Sequence, residues 1–380
     1  MRIAMIHTPL AFPTGGERQI LRLAIELQKL GHEVEIFTNA VDKERCFPEM
    51  LAKVTVNVIP YLLPYGRGYY RALDGMFNIG RRIPQKFDVI NNHNFPTEWA
   101  AFYAKKWLKM PAVWMCNEPP FWFFQPEQRK GKLIVQWPLF EILDKVAVRA
   151  IDEIVVLSNI AATLVKDVYK RSSTIVRTGV DTEVFENAPG DNFRRKNDLV
   201  KDFLILQVGS LIYYKHPDIT IKALRYLPKG IKLILIGVGQ VAMYRELALE
   251  LGVGNRVLLL GNVSEDELAG IYKACNVCVF PAEQTWGLVV TEAMAAGKPV
   301  IVSRKAGVSE IIENNVNGIV IDDETPEILA AEIKRLIDDP TLAMKMGENA
   351  LNYVRDNLSW ERYARNMETI FNMAIREAKL

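Results

Sequence analysis

FPAEQTWGLVVTEAMAAGKPV, residues 280–300, is the stretch on which the fold turns. The residues that lead into it, Cys275-Asn-Val-Cys-Val-Phe, read as a short apolar strand rich in β-branched side chains. Pro281 ends that strand, because proline cannot donate to a sheet ladder. A polar turn follows, and Gly287 permits close backbone approach or an unusual dihedral. From Leu288 the pattern turns helical, Gly297 stops the helix, and Lys298-Pro-Val-Ile-Val opens another strand. A strand feeding a glycine-marked turn and then a helix is an αβ unit of a doubly wound sheet. The first turn of such a helix presents free N–H groups and the positive end of a dipole, which suits a phosphate. Glu292 lies about one turn inside, where its carboxylate can accept hydrogen bonds from sugar hydroxyls.

At 380 residues the chain has room for two domains of ordinary size. Hydrophobic content of 49% with 24% charged residues belongs to a globular chain, not a disordered one. A net charge of +2 gives no case for nucleic-acid binding. The amino terminus reads as a strand with no apolar leader, and no apolar run reaches the ~18 residues of a membrane span. The expected setting is therefore cytoplasmic. Four cysteines fit a reducing compartment, and Cys275-x-x-Cys278, without a second pair, reads as two buried structural thiols.

The same alternation runs through the rest of the chain. Arg2 to His7 is an apolar, doubly buried strand; Gly15 and Gly16 close the loop after it, and Ile20, Leu21, Leu23, Ala24 and Leu27 follow at helical spacing. The glycine pair is not G-x-G-x-x-G, so a dinucleotide site is not indicated; it is a tight turn or a place where amides face a phosphate or sugar. A strand from Asp88 ends near His93, and another from Pro111 ends at Asn117. Residues 61–87 interleave Tyr61, Tyr65, Tyr69, Tyr70 and Phe77 with Arg67, Arg71, Arg81, Arg82 and Lys86. A second aromatic and basic cluster, at 121–132, holds Phe121 to Phe124 with Arg129, Lys130 and Lys132. Both are either core aromatics beside a solvated face or a surface for anionic lipid headgroups. The polar run from Ala188 to Asp198 reads as an interdomain connection. After it, 203–209 and 231–239 are strands, with Ser210 and Lys215 in the loop between them.

The order Pro-x4-Trp-Gly-x4-Glu-Ala-Met-Ala-x-Gly-x-Pro-Val resembles the signature of the family 4 retaining glycosyltransferases of GT-B fold. The resemblance runs nearly end to end and is strongest over 203–318. The family's E-x7-E places its second Glu on Glu292 and its first on Gln284, with Glu283 one residue off register. Its G-R-x4-K loop matches Gly209 and Lys215, with Ser210 where Arg is usual. Val176-Arg-Thr-Gly-Val-Asp resembles the family's NGVD segment, with Thr178 for Asn, and marks the hinge. Asn117 stands where many members carry a histidine.

The resemblance implies two doubly wound Rossmann-like α/β domains facing a cleft. The first covers 1–185, the second 186–359, and a last helix at 360–380 crosses back to the first. It implies transfer of a sugar from a UDP- or GDP-linked donor to a glycan or lipid-linked acceptor, with retention. The donor would meet Gly15, Gly16, Gly209, Ser210, Lys215, Glu283, Gln284, Trp286, Gly287, Leu288 and Glu292, and the nucleobase would lie at Asn262 and Val263. Lys215, Gln284, Asn117 and His93 are the candidate catalytic residues. No Asp-x-Asp occurs and no ligand cluster has metal spacing, so neither metal nor other cofactor is expected. Three other readings stay open. A sugar-nucleotide-binding protein with little turnover fits the departures at Gln284, Ser210 and Asn117. A membrane-surface scaffold would not need Lys215 or Glu292. An epimerase of the same architecture needs more acid and base groups than His93 and Glu118.

Overall fold

The computed structural model describes residues 1–62, 69–120 and 133–378. Tyr65, Arg67, the side chains of Tyr69 and Tyr70, and the cluster at 121–132 lie outside the described residues. The chain divides into two compact units, Met1–Thr178 with Trp360–Leu380, and Gly179–Ser359.

The first unit is built on a seven-stranded sheet, ordered β3-β2-β1-β4-β5-β6-β7. Its strands are β1 (Arg2–Ile6), β2 (Glu33–Thr38), β3 (Thr55–Val58), β4 (Val89–His93), β5 (Ala112–Met115), β6 (Glu153–Val156) and β7 (Thr174–Ile175). Every pairing is parallel. Its helices are α1 (Gly15–Lys29), α2 (Pro48–Leu51), α3 (Tyr69–Arg82), α4 (Glu98–Tyr103), α5 (Leu133–Arg149) and α6 (Asn159–Tyr169). Covered on both faces, the central strands carry continuous apolar runs such as RIAMI and AVWM, whose Ile3, Met5 and Trp114 are fully buried.

The second unit repeats the plan with six parallel strands ordered β10-β9-β8-β11-β12-β13. The strands are β8 (Phe203–Val208), β9 (Ile231–Ile236), β10 (Val257–Leu260), β11 (Val277–Phe280), β12 (Val300–Ser303) and β13 (Ile319–Ile321). The helices are α7 (Thr182–Glu186), α8 (Gly190–Lys196), α9 (Pro217–Ala223), α10 (Val241–Glu250), α11 (Glu265–Ala274), α12 (Leu288–Ala295), α13 (Pro326–Asp338) and α14 (Pro340–Asn357). Ser264 and Thr325 cap α11 and α13 by accepting from Glu267 and Ile328 N–H. The last helix, α15 (Trp360–Glu377), returns to the first unit and packs on α1.

Two boundary expectations are corrected. The division falls after Thr178, ahead of the expected 185, because α7 packs on α11, α12 and α14 of the second unit. The polar run at 188–198 is no connection: it forms α8, packed on α11. Phe193 is buried there, and a Cβ on Gly190 would lie 2.7 Å from the Lys273 carbonyl carbon. Cys275 and Cys278 are buried free thiols, as their lone spacing implied. No described helix is long and apolar enough to cross a membrane.

Candidate functional site

In a doubly wound sheet the connections diverge where the strand order reverses, and ligands bind at the carboxyl ends of the strands there. In the second unit that point lies between β8 and β11, which are adjacent although β9 and β10 lie on one side and β12 and β13 on the other. Gly209 follows β8, and the stretch from Pro281 to Gly287 follows β11. These are the two loops singled out by the sequence.

The loops are tied together. Glu283 N–H donates to the Tyr214 carbonyl at 3.1 Å. The Lys215 ammonium donates to Gln284 Oε1 and lies 5.3 Å from the centre of the Phe280 ring. Buried Gln207 fixes the turn by donating to the Lys215 carbonyl at 2.7 Å and accepting from Thr220 Oγ1 at 2.7 Å. The N–H of Gly307 donates to the Gln284 carbonyl at 2.7 Å. The result is a cation held at the end of β11, a few residues before the helix mouth.

Gln284 and Glu283 have separate surroundings. It is the neutral Gln284 that meets Lys215. Glu283 accepts from Lys305 Nζ at 2.8 Å, and Lys305 also donates to Glu324 at 2.8 Å. Those two carboxylates hold the Lys305 ammonium above the usual lysine range. Sequence reasoning missed Lys305, whose only signal was its place beside Ala306-Gly307.

Gly287 precedes α12 and is required by packing: a Cβ there would come within 2.9 Å of the Phe280 ring and 3.2 Å of Val308. Leu288, half-buried, is the first residue of the helix. Glu292, one turn in, is buried and accepts from the Tyr272 hydroxyl at 2.8 Å. Trp286 is buried, and its indole N–H meets no acceptor among the described residues. Ser210 is exposed beside Gly209. Asn262 and Val263 follow β10, the edge strand, and so lie two strands away from β8.

The first unit has its own crossover, between β1 and β4. Gly15 and Gly16 open α1 beside it, and the Thr14 hydroxyl hydrogen-bonds to Glu17. His93 is the last residue of β4, fully buried, with Nε2 on Asn91 Oδ1 at 2.7 Å. Asn117, just beyond β5, donates to Gln19 Oε1 at 2.7 Å, and Gln19 Nε2 donates to the Tyr363 hydroxyl at 2.9 Å. His7, just beyond β1, escaped the sequence reading; its ring centre lies 6.5 Å from that of His93. Burial lowers the pKa of both imidazoles, and that of His93 falls well below the ordinary value.

Two families match the sequence: residues 190–353 match "Glycosyl transferases group 1", and residues 13–184 match "Glycosyltransferase Family 4". An uncharacterised glycosyltransferase of Methanocaldococcus jannaschii is 28% identical over 99% of both chains. The D-inositol 3-phosphate glycosyltransferase of Corynebacterium glutamicum is 27% identical over 99% of this chain and 97% of its own. Among solved structures, Anabaena HepE in complex with UDP and glucose superposes with a TM-score of 0.82 at 19% identity, over 97% of this chain and 99% of its own. Sucrose-phosphate synthase from Thermosynechococcus elongatus gives 0.83 at 20% identity, over 99% of each. The two matched stretches fill nearly the whole chain, and the relatives match it end to end: it belongs to the family 4, group 1 glycosyltransferases and has the GT-B fold.

Proposed function

We propose that this glycosyltransferase moves a hexosyl group from a nucleoside diphosphate sugar to a hydroxyl of a glycan, lipid-linked or other polyhydroxylated acceptor, with retention and without a metal. The observation that carries the reading is the Lys215–Gln284 pair at the end of β11, ahead of the amino terminus of α12. Breaking a glycosidic bond to a diphosphate leaves negative charge on the departing phosphate. A fixed ammonium and a helix amino terminus stabilise that charge more than they stabilise the ground state. Glu292 would hold the ribose hydroxyls, and Gln284 would face the sugar. A front-side displacement, in which the leaving phosphate takes the acceptor proton, needs no enzymic nucleophile and suits a neutral Gln284 and Asn117.

HepE was solved with UDP and glucose, so UDP-glucose is the first donor to try. The relatives named for D-inositol 3-phosphate make a cyclitol phosphate the first acceptor. A lipid-linked acceptor would suit a chain that rests on a membrane. Arg71, Arg81 and Arg82 are exposed on α3, with Arg71 stacked on Tyr61, which fits contact with anionic headgroups.

The test is a panel of UDP- and GDP-sugars with EDTA, read by thermal shift, by slow sugar release and by transfer to acceptors. Stabilisation by one nucleotide with transfer supports the proposal. Stabilisation without release or transfer favours a binding protein, and no stabilisation by any donor sinks the reading.

A further inference from the structure

Lys215 meets the weaker of two acceptors that follow one another in the chain. Its partner is the neutral amide oxygen of Gln284, while the carboxylate of Glu283 stands one residue earlier. A carboxylate offers an ammonium a charge–charge attraction that an amide oxygen does not. By charge alone Lys215 would take Glu283.

The strand order explains the reversed choice. β11 lies between β8 and β12. Beyond β11 the chain sends Gln284 toward the loop that follows β8, and Glu283 toward the loop that follows β12. Lys305 sits in that second loop, two residues past β12, and donates to Glu283 Oε1 at 2.8 Å. The same ammonium donates at 2.8 Å to Glu324 Oε2, just beyond β13. Glu324 is the anchor, because its side chain is 7% exposed against 40% for Glu283. It also accepts from Ser303 Oγ at the end of β12. Burial pushes the Glu324 carboxyl up, but hydrogen bonds from Lys305 and Ser303 hold it below the usual range. Lys305 thus ties the loops after β11, β12 and β13 through a cation shared by two carboxylates.

The backbone keeps the same register. Glu283 N–H donates to the Tyr214 carbonyl, Gly307 N–H donates to the Gln284 carbonyl, and Gln284 forms a single parallel bridge with Ala306. Neighbouring residues of an extended stretch point to opposite sides, so a slip of one residue would exchange Glu283 and Gln284. Such a slip would also move Trp286 and Gly287, and with them the mouth of α12. We infer that Lys305 is a positioning residue for the transfer: by engaging Glu283 on the β12 side it keeps Gln284 as the partner of Lys215 and the loop in register. The inference rests on the transferase reading and goes beyond it, since Lys305 acts through Glu283 and touches no reacting atom.

The test measures kcat and donor KM with UDP-glucose, or with the fastest donor of the panel. The variants are Lys305→Met, Lys305→Arg, Glu283→Gln and the double variant Lys305→Met with Glu283→Gln. Lys305→Met should lower kcat about tenfold or more with a smaller rise in KM, because a displacement of about 1 Å at a catalytic contact costs up to about a hundredfold. Lys305→Arg keeps a cation for both carboxylates and should recover most of the rate. The deciding comparison is made with residue 283 neutral. Relative to Glu283→Gln, the double variant should lose less than about twofold, since no carboxylate is left to compete for Lys215. If Lys305→Met does not fold, Lys305→Gln, which still donates to Glu324, takes its place in the same comparison.

A loss of the same size in both backgrounds would mean that Lys305 acts through Glu324 or the fold, and the inference falls. It falls too if Lys305→Met turns over like the wild type. UDP titration separates these failures from that of the reading beneath them. Additive variants with intact UDP binding and transfer remove the positioning role alone. A wild-type chain that neither binds UDP nor releases or transfers sugar removes the transferase reading.

Discussion

The Tyr272 hydroxyl donates to Glu292 Oε2 at 2.8 Å, joining α11 to α12. Both side chains are buried, so the bond fixes the carboxylate rotamer. If Glu292 holds the ribose, Glu292→Ala should weaken UDP binding about 10- to 100-fold, the range of a hydrogen bond to a charged group. Tyr272→Phe keeps the carboxylate and loses its orientation, so a loss of about threefold to tenfold is expected. Titration with UDP and 2′-deoxy-UDP checks the role: the wild type should prefer the ribonucleotide, and Glu292→Ala should not. An unchanged preference would remove Glu292 from the ribose.

Lys215 is held toward Gln284 by the Gln207–Thr220 clamp beneath its loop. Removing the ammonium should cost most in the transition state, where charge develops on the leaving phosphate. Lys215→Ala is expected to lower kcat/KM about 10²- to 10³-fold with little change in Tm. Gln284→Glu preserves an oxygen for Lys215 and should hold kcat within about tenfold. Steady-state kinetics with the best donor of the panel decides both, and full turnover by Lys215→Ala would dismiss the pair.

The doubly wound halves were legible because each buried strand is a short apolar run and each helix has its own period and stop signal, as in the stretch around Gly287. The meeting of Lys215 with Gln284 was half legible: motif spacing named both residues, but only the backbone bond from Glu283 to Tyr214 shows which side chain of the Glu283-Gln284 pair turns to the lysine. His7 was not legible. It reads as the end of a strand, and its ring comes beside that of His93 across chain positions that only the sheet order brings together. The run 188–198, which holds Arg194, was misread for a related reason, because a polar run gives no sign of the acceptors its side chains will find.

Arg194 donates to four oxygens: the carbonyls of Ala274, Leu199 and Asp202, and Asn276 Oδ1. Asn276 Oδ1 also accepts from the N–H of Leu204 at the start of β8. Arg194→Met would fill similar volume and leave those acceptors without their donor. A loss of about 3 kcal/mol is expected, seen as a lower urea midpoint. UDP affinity of the folded fraction should be unchanged. A midpoint equal to wild type would mean that α8 hangs loosely on α11 after all.

A pair of carboxyls buried in the first unit makes its stability depend on pH. Glu98 on α4 is fully buried close to Asp144 on α5, and Asp144 accepts from the Tyr169 hydroxyl at 2.7 Å. Burial and the neighbouring carboxylate push Glu98 well above the usual range. Burial raises Asp144 to about 6, opposed by its hydrogen bond from Tyr169 and by Lys145, with Glu141 adding to the rise. The buried Cys116 thiol and the Tyr169 phenol also lie near Glu98. A group whose folded pKa exceeds its unfolded value of about 4 contributes its full stability below that value and loses it as pH rises through the folded one. The pair therefore costs stability from about pH 4 upward, through about 6 for Asp144 and higher for Glu98. Glu98→Gln removes one of the two buried carboxyls and its charge, so its Tm should fall less than that of the wild type between about pH 5 and about pH 8. Asp144→Asn should flatten the curve in the same sense. Thermal melts across that window provide the measurement, and wild-type and Glu98→Gln curves that run parallel would show that the buried carboxyls do not govern the packing of α4 against α5.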